Sequence, residues 1–268
     1  MERVSVQFKC FPGGRRKAVT FSFDDGRTQD RRLVETMNRY GLKGTFHLNA
    51  GKLGLDGYIG SDEVAGLFTG HEVSAHTINH PFLDLYPTDA LAGEIWQDRM
   101  ALERLTGYPV RGMSYPFGTY DDRVVAALPA FGIEYARTTK SHGGFELPAD
   151  FLRWHPTCHH KQMVERTEDF LSRRDRFGRM SLLYVWGHSY EFDSDDNWDL
   201  VDAVGEMLAG ADDVWKATNA EIVAYKQAID RLRFSADCSI VHNPSAREVW
   251  LEADGQPVRV GPGEVKRL

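Results

Sequence analysis

The segment Lys17-Ala-Val-Thr-Phe-Ser-Phe23 constrains the fold more than any other stretch of this 268-residue chain. Its β-branched and aromatic residues predict a buried strand, and Asp24-Asp25-Gly26 ends that strand in a polar turn. Residues 28–40 follow with apolar side chains at helical spacing (Leu33, Val34, Met37) and stop at Gly41, a C-cap. Thr45-Phe-His-Leu-Asn49 reads as a second strand. Strand, helix, strand in this order predicts two parallel strands joined by a crossover.

The alternation continues. Helices are expected over residues 61–68, 88–106, 122–131, 170–176, 200–208 and 219–232. Strands are expected over 72–75, 111–115, 133–137, 181–186 and 214–217. In the long helix, Leu91, Ile95, Met100, Leu102 and Leu105 are assigned to the apolar side. The class is α/β with a parallel sheet, open or closed as a barrel. From Phe234 the pattern changes: Ile240-Val241, Val249-Trp-Leu251 and Val258-Arg-Val260 are separated by Asn-Pro, Asp-Gly and Gly-Pro-Gly turns. Residues 1–233 therefore read as one α/β domain, and 234–268 as a small antiparallel β appendage covering the end of the sheet.

A net charge of −7 argues against nucleic acid, anionic membranes and polymeric acids as partners. MERVSVQFKC lacks a basic-then-apolar leader, and no apolar run approaches the ~20 residues that span a bilayer, so a cytoplasmic location is expected. Cys10, Cys158 and Cys238 are odd in number and widely spaced, which fits neither a disulfide framework nor a Cys-x-x-Cys metal site.

Functional groups in α/β folds collect where strands end. Three polar clusters stand there. Asp24 and Asp25 are adjacent carboxylates pointing in different directions, so one can bind a metal while the other handles a proton; an Asp-Asp-Gly turn is also ordinary turn chemistry. His76-Thr-Ile-Asn-His80 places imidazoles at i and i+4, which converge on one ion if the loop makes a helical turn. With Asp25 they make a two-His, one-carboxylate set that suits Zn²⁺, with Co²⁺, Ni²⁺, Mn²⁺ or Fe²⁺ also fitting. His188 follows the strand ending in Val185-Trp186 and is a candidate general acid.

Thr20-Phe-Ser-Phe-Asp-Asp-Gly26, His76-Thr-Ile-Asn-His80, Arg111-Gly-Met-Ser-Tyr-Pro-Phe-Gly118 and the strand ending at His188 resemble, in this order, the motifs of the polysaccharide deacetylases. This is carbohydrate esterase family 4, the NodB-homology superfamily, and the resemblance covers roughly residues 17–230. It implies a distorted, incomplete (β/α) barrel with a divalent metal at the C-terminal ends of the strands. Asp25, His76 and His80 match the metal ligands, Asp24 the general base toward the attacking water, and His188 the general acid. Phe117 matches the aromatic whose backbone N–H serves the oxyanion, with Tyr115 beside it.

Two family features are displaced. Arg111 stands farther from Pro116 than the family's base-orienting arginine does, so it is either that arginine or a strand-end surface charge. The Asp-and-Trp motif lining the family's substrate groove has no clean counterpart. Trp154 is the nearest candidate, stacking on a sugar face or filling core, and the neighbouring His155 is a further candidate at the site. His47 reads as an interior or rim histidine, His71 as a capping or surface group, His159-His160 as a solvated pair rather than a second metal site, and Glu191 or Asp193 as a partner for His188 or a contact to substrate. The expected activity is removal of an acetyl group from an N-acetylated sugar or oligosaccharide. The alternatives are an amidase or esterase on a small non-sugar compound, including allantoinase-like ring opening, and a non-catalytic carbohydrate-binding relative.

Overall fold

The fold is that of a computed structural model describing residues 4–174 and 177–268. A short strand β1 (Val6–Gln7) precedes the element that organises the rest, β2 (Lys17–Asp25). β3 (Gly44–Leu48), β4 (Glu72–Ala75), β5 (Gly112–Ser114), β6 (Tyr135–Arg137), β7 (Cys158–His159), β8 (Ser181–His188) and β9 (Val214–Lys216) join it in one parallel eight-stranded sheet. The order is β6-β5-β4-β3-β2-β8-β7, and β9 pairs with β2 at Lys17, Ala18 and Val19, ahead of the residues that pair with β3. The helices are α1 (Asp30–Arg39), α2 (Val64–Leu67), α3 (Thr88–Thr106), α4 (Asp122–Ala127), α5 (Met163–Ser172), α6 (Tyr190–Ser194), α7 (Asp199–Ala209) and α8 (Asn219–Asp230).

Period-2 alternation along β2 divides its side chains between two environments. Val19, Phe21 and Phe23 join the apolar cluster that takes in Leu33 and Met37 of α1, Ile95 of α3, Phe170 of α5 and Val204 of α7. Thr20, Ser22 and Asp24 are buried on the other side, where polar groups meet. There Thr20 donates to Asn219, Asn219 to the Tyr184 hydroxyl, Thr45 to Glu72, and Tyr135 to Ser74. His47 is buried between the Ser22 hydroxyl and the Ala75 carbonyl, the interior histidine expected.

The sheet curls until its edges approach. Trp154 forms a parallel bridge with Arg137 at the end of β6, and four residues later the chain enters β7 against β8. One bridge on one side and a two-residue strand on the other make the distorted, incomplete barrel.

At the opposite end from Asp24, Ala18 and Leu182 pack with Ile222, Val223 and Ile229 of α8 and with Val241, Leu251 and Val260. The last three lie on antiparallel strands: β10 (Arg233–Phe234), β11 (Ile240–His242), β12 (Val249–Ala253), β13 (Gln256–Val260) and β14 (Val265–Arg267). β1 pairs with β12, so the two ends of the chain meet there.

Two expectations change. Met100 is exposed and Leu105 only half-buried, whereas Glu94 and Asp98 share the buried stripe of α3 with Leu91, Ile95 and Leu102. The helix expected over 170–176 is α5, which starts at Met163 and ends at Ser172; Arg176 lies outside the described residues, as do residues 1–3 of the leader reading. Among the described residues no helix is long and apolar enough to cross a membrane.

Gly112 of β5 leaves room for the side chain of its partner in β6: a Cβ there would collide with the ring of Tyr135, whose hydroxyl is tied to Glu72 and Ser74. Gly112→Ala is expected to lower unfolding free energy by ~1–3 kcal/mol, the cost of overpacking a filled core. A urea midpoint unchanged from the parent would contradict this close approach.

Candidate active site

Asp24 and Asp25 end β2, and strand alternation alone would send them to opposite faces. The alternation breaks at Asp25, whose φ is +84°, followed by Gly26 at +71°. That left-handed step lets both carboxylates line one pocket of about 510 Å³ with His76, His80, Tyr115, Phe117, Thr139, Trp186, His188 and Tyr190. A pocket of this size suits a small ligand or one or two rings of a larger one.

His76 leaves β4 buried. Its Nδ1 lies 3.0 Å from the Ser114 carbonyl, which accepts only an N–H, so the proton sits on Nδ1 and the Nε2 lone pair is free. Nε2 stands 3.7 Å from Asp25 Oδ1, and His80 Nε2 stands 3.6 Å from the same oxygen. Asp25 Oδ1 is buried and has no hydrogen-bond partner. A buried orphan oxygen facing two imidazoles fits a divalent cation, since tetrahedral ligands at ~2.0–2.2 Å from an ion stand roughly 3.3–3.6 Å apart. Burial lowers the pKa of both histidines, His80 to about 4, which keeps them neutral as ligation requires.

The His76–His80 segment is not the helical turn that its i, i+4 spacing suggested. It is an irregular bend with Thr77 and His80 at positive φ, +67° and +63°. Buried polar groups hold it. Asn49 donates to the carbonyls of His76 and Thr77, the His76 N–H donates to Asp98, and Glu94 accepts from the Asn79 backbone and side chain. Asp98 also accepts from Ala50; burial raises its carboxyl to about 8 against these donors.

Asp24 is held differently. Ser114 Oγ donates to its Oδ1 at 3.0 Å, and the Arg137 guanidinium pairs with its Oδ2. Burial would raise this carboxyl, but the charge of Arg137 holds it well below the usual carboxylate range. Arg137 lies wholly buried under the ring of Trp186 at the C-terminal end of β6. Arg111, the sequence candidate for this partner, precedes β5 at the other end of the sheet; it is exposed and donates to the Gly132 carbonyl.

His188 pairs in register with Asp24 across β2 and β8. Its Nδ1 donates to Glu191 Oε2 at 2.9 Å, and the His188 backbone N–H reaches the same oxygen. Burial lowers the pKa of His188, but the Glu191 hydrogen bond and the charges of Asp24 and Asp25 outweigh burial and raise it. Asp193 is turned away, bonded to Trp198 and Gln29.

The remaining candidates divide. Phe117, at φ +57° in the turn after Tyr115, stands edge-on to His80 and stacks flat on Phe82 at 3.9 Å. Both rings are exposed, 54% and 43%. Tyr115 lines the pocket, but its hydroxyl is committed to the Leu152 carbonyl. Trp154 is 1% exposed among Tyr135, Phe151 and Tyr184; it is core, and presents no face to a sugar. His155 is bonded to Thr138 outside the pocket. Trp186 and Tyr190 are pocket walls that the sequence reading passed over.

Residues 12–136 match the family model for polysaccharide deacetylase. No curated protein matches the chain. Among solved structures, a putative polysaccharide deacetylase from Mycobacterium smegmatis is 17% identical, with a TM-score of 0.62 over 86% of this chain and 95% of its own. A family 4 acetyl xylan esterase from Clostridium thermocellum, solved with a cobalt ion, is 14% identical, with a TM-score of 0.55 over 79% of this chain and 92% of its own. A Streptococcus pyogenes deacetylase in complex with acetate is 20% identical, with a TM-score of 0.44 over 45% of this chain; this chain spans only 55% of its length. The family resemblance read from the motifs is thus borne out, and the neighbours share the barrel.

The two arginines give opposite expectations. Arg137→Met leaves Asp24 buried without its counter-charge and should cost ~3–5 kcal/mol of stability, whereas Arg111→Met should stay within ~0.5 kcal/mol. Denaturant unfolding of the two variants checks this, and equal effects would remove Arg137 from its place.

Proposed function

We propose that this chain is a metal-dependent hydrolase that removes an acyl group, acetyl first, from the amine or alcohol of a sugar ring. The observation that carries the reading is the orphaned, buried Oδ1 of Asp25 between His76 and His80, with Asp24 and His188 on the same pocket. The three residues would hold one divalent cation, Zn²⁺ by ligand chemistry, with Co²⁺, Ni²⁺, Mn²⁺ or Fe²⁺ as alternatives. When bound, such an ion supplies Lewis acidity toward a water and toward the acyl carbonyl.

The chain's own groups divide the proton work. Asp24 is the base: held ionised by Arg137, it accepts the proton that water loses on attacking the acyl carbon. The backbone N–H of Phe117 is the candidate donor to the oxyanion that forms. His188, oriented through Nδ1 by Glu191, gives a proton to the departing nitrogen or oxygen as the bond from acyl carbon to that atom breaks. The products are a carboxylate and a free amine or alcohol. The exposed Phe82–Phe117 stack at the rim offers an aromatic face to the C–H side of a sugar ring.

A second reading, a small non-sugar amide or ester, is favoured by one observation. Trp154, for which a groove and a core position were both open, lies in the core, so it supplies no groove aromatic.

Acetate release from N-acetylated sugars and from aryl acetates, with and without chelator, separates the two readings. Turnover of N-acetylated sugars that chelator abolishes is expected; ester turnover alone would move the assignment to the second reading. Asp24→Asn is expected to keep the metal and lose at least ~10²-fold in kcat, the scale of one general base, whereas His80→Ala loses the ion of this pocket and activity together. An active Asp24→Asn protein would refute the base assignment. The pH profile follows from His188. Its protonated form is needed and its pKa is raised by Glu191, so the rate falls as pH rises through that pKa. Glu191→Gln removes that support and should move the alkaline limb to lower pH; an unmoved limb would detach His188 from the acid role.

A further inference from the structure

Outside the residues that line the pocket, Glu191 belongs to a second group of side chains of metal-ligating type. His159 Nε2 stands 3.1 Å from Glu191 Oε2, and His160 Nδ1 stands 3.6 Å from the same oxygen. The ligand atoms of the three residues all lie within 4.8 Å of one another. The expectation of a solvated histidine pair fails here: His160 is 0% exposed, and neither of its ring nitrogens has a hydrogen-bond partner.

Room for that ring is built into β8. A Cβ on Gly187 would collide with His160 Nδ1, so a glycine at this strand position is what admits the imidazole toward Glu191. A hydrogen bond accounts for His159 at 3.1 Å, but 3.6 Å is too long to account for His160. An unpaired imidazole sealed from water is costly unless something else joins it to the carboxylate. The separations of 3.1 and 3.6 Å bracket the roughly 3.3–3.6 Å expected between tetrahedral ligands.

We infer that His159, His160 and Glu191 form a second site for a divalent cation of the Zn²⁺, Co²⁺ or Ni²⁺ class, and that filling it withdraws Glu191 from His188. The chemistry of two imidazoles and one carboxylate selects this class over Mg²⁺ and Ca²⁺, which take oxygen ligands. The coupling is geometric. The oxygen that completes the second site, Glu191 Oε2, is the one that His188 Nδ1 now uses. A cation on that oxygen competes with His188 Nδ1 for it and draws off the negative charge that orients and supports the imidazole, so excess metal inhibits. The inhibitory half rests on the acid role proposed for His188; the binding half does not.

Zinc content after equilibration with Zn²⁺ and removal of excess tests the binding half without any turnover. The wild-type chain should take up two equivalents, His160→Gln one, His80→Ala one, and the doubly substituted chain none. His159→Gln, at a partly exposed position, should also take up one, which guards against misfolding of the buried variant. Saturation of the wild-type chain at one equivalent overturns the second site, and two equivalents in both His159→Gln and His160→Gln overturn its ligands. In the hydrolytic assay, wild-type activity should rise with the first equivalent and fall at least tenfold with the second, while His159→Gln shows only the rise. Two bound equivalents with no such fall overturn the coupling alone. If no substrate is turned over, the function fails while the zinc count still decides the site.

Discussion

The buried pair between Arg137 and Asp24 is the contact on which the rest of the site depends. A carboxylate at the mouth of a barrel, flanked by His47, His76 and His188, has several partners it can serve. Arg137 commits it to one. With Oδ2 on the guanidinium and Oδ1 on the Ser114 hydroxyl, both oxygens of Asp24 have partners outside the three residues proposed to hold the metal. Asp24 Oδ2 still lies 3.8 Å from His76 Nε2, but only Asp25 faces both His76 and His80 with an oxygen that has no other partner. In the proposed division of labour, two neighbouring carboxylates with the same intrinsic chemistry take different tasks because only one of them is paired with an arginine.

Burying an arginine and an aspartate is expensive, and the surrounding barrel explains how the cost is met. Its interior is lined by polar groups that satisfy one another, from Asn219 through Tyr184, Thr45, Glu72 and Tyr135 to Ser74. Apolar stabilisation is carried elsewhere: between sheet and helices, and where α8 and the antiparallel strands pack against the far end. Separating these two jobs leaves the mouth free to hold charges, and lets Asn49, Asp98 and Glu94 fix the His76–His80 bend from below.

Much of this was legible in the residues. The strand–helix rhythm gave the parallel sheet and the family resemblance its closure into a distorted barrel, while the order of Asp24-Asp25, His76 and His80, Tyr115-Pro-Phe-Gly118 and His188 gave the candidate site, because each cluster follows a strand. Arg137 was missed for a specific reason: it was sought near Pro116 in sequence, whereas β6 runs parallel to β5 and supplies it from the next strand end. The rule that functional groups sit at strand ends, applied to Tyr135-Ala-Arg137, would have found it. Glu94 and Asp98 carried a signal too, since they share the helical stripe of Leu91, Ile95 and Leu102. Trp154 and His160 carried none. Their burial comes from the 154–160 segment bridging the barrel's edges, a closure between residues far apart in sequence.

The central claim is a division of labour between two adjacent aspartates, and anomalous diffraction from crystals grown with Zn²⁺ tests it most directly. The account predicts an anomalous peak bounded by Asp25 Oδ1, His76 Nε2 and His80 Nε2, with Asp24 still paired to Arg137. A peak ligated by Asp24, with Arg137 displaced from it, would contradict the account, as would no peak at these residues.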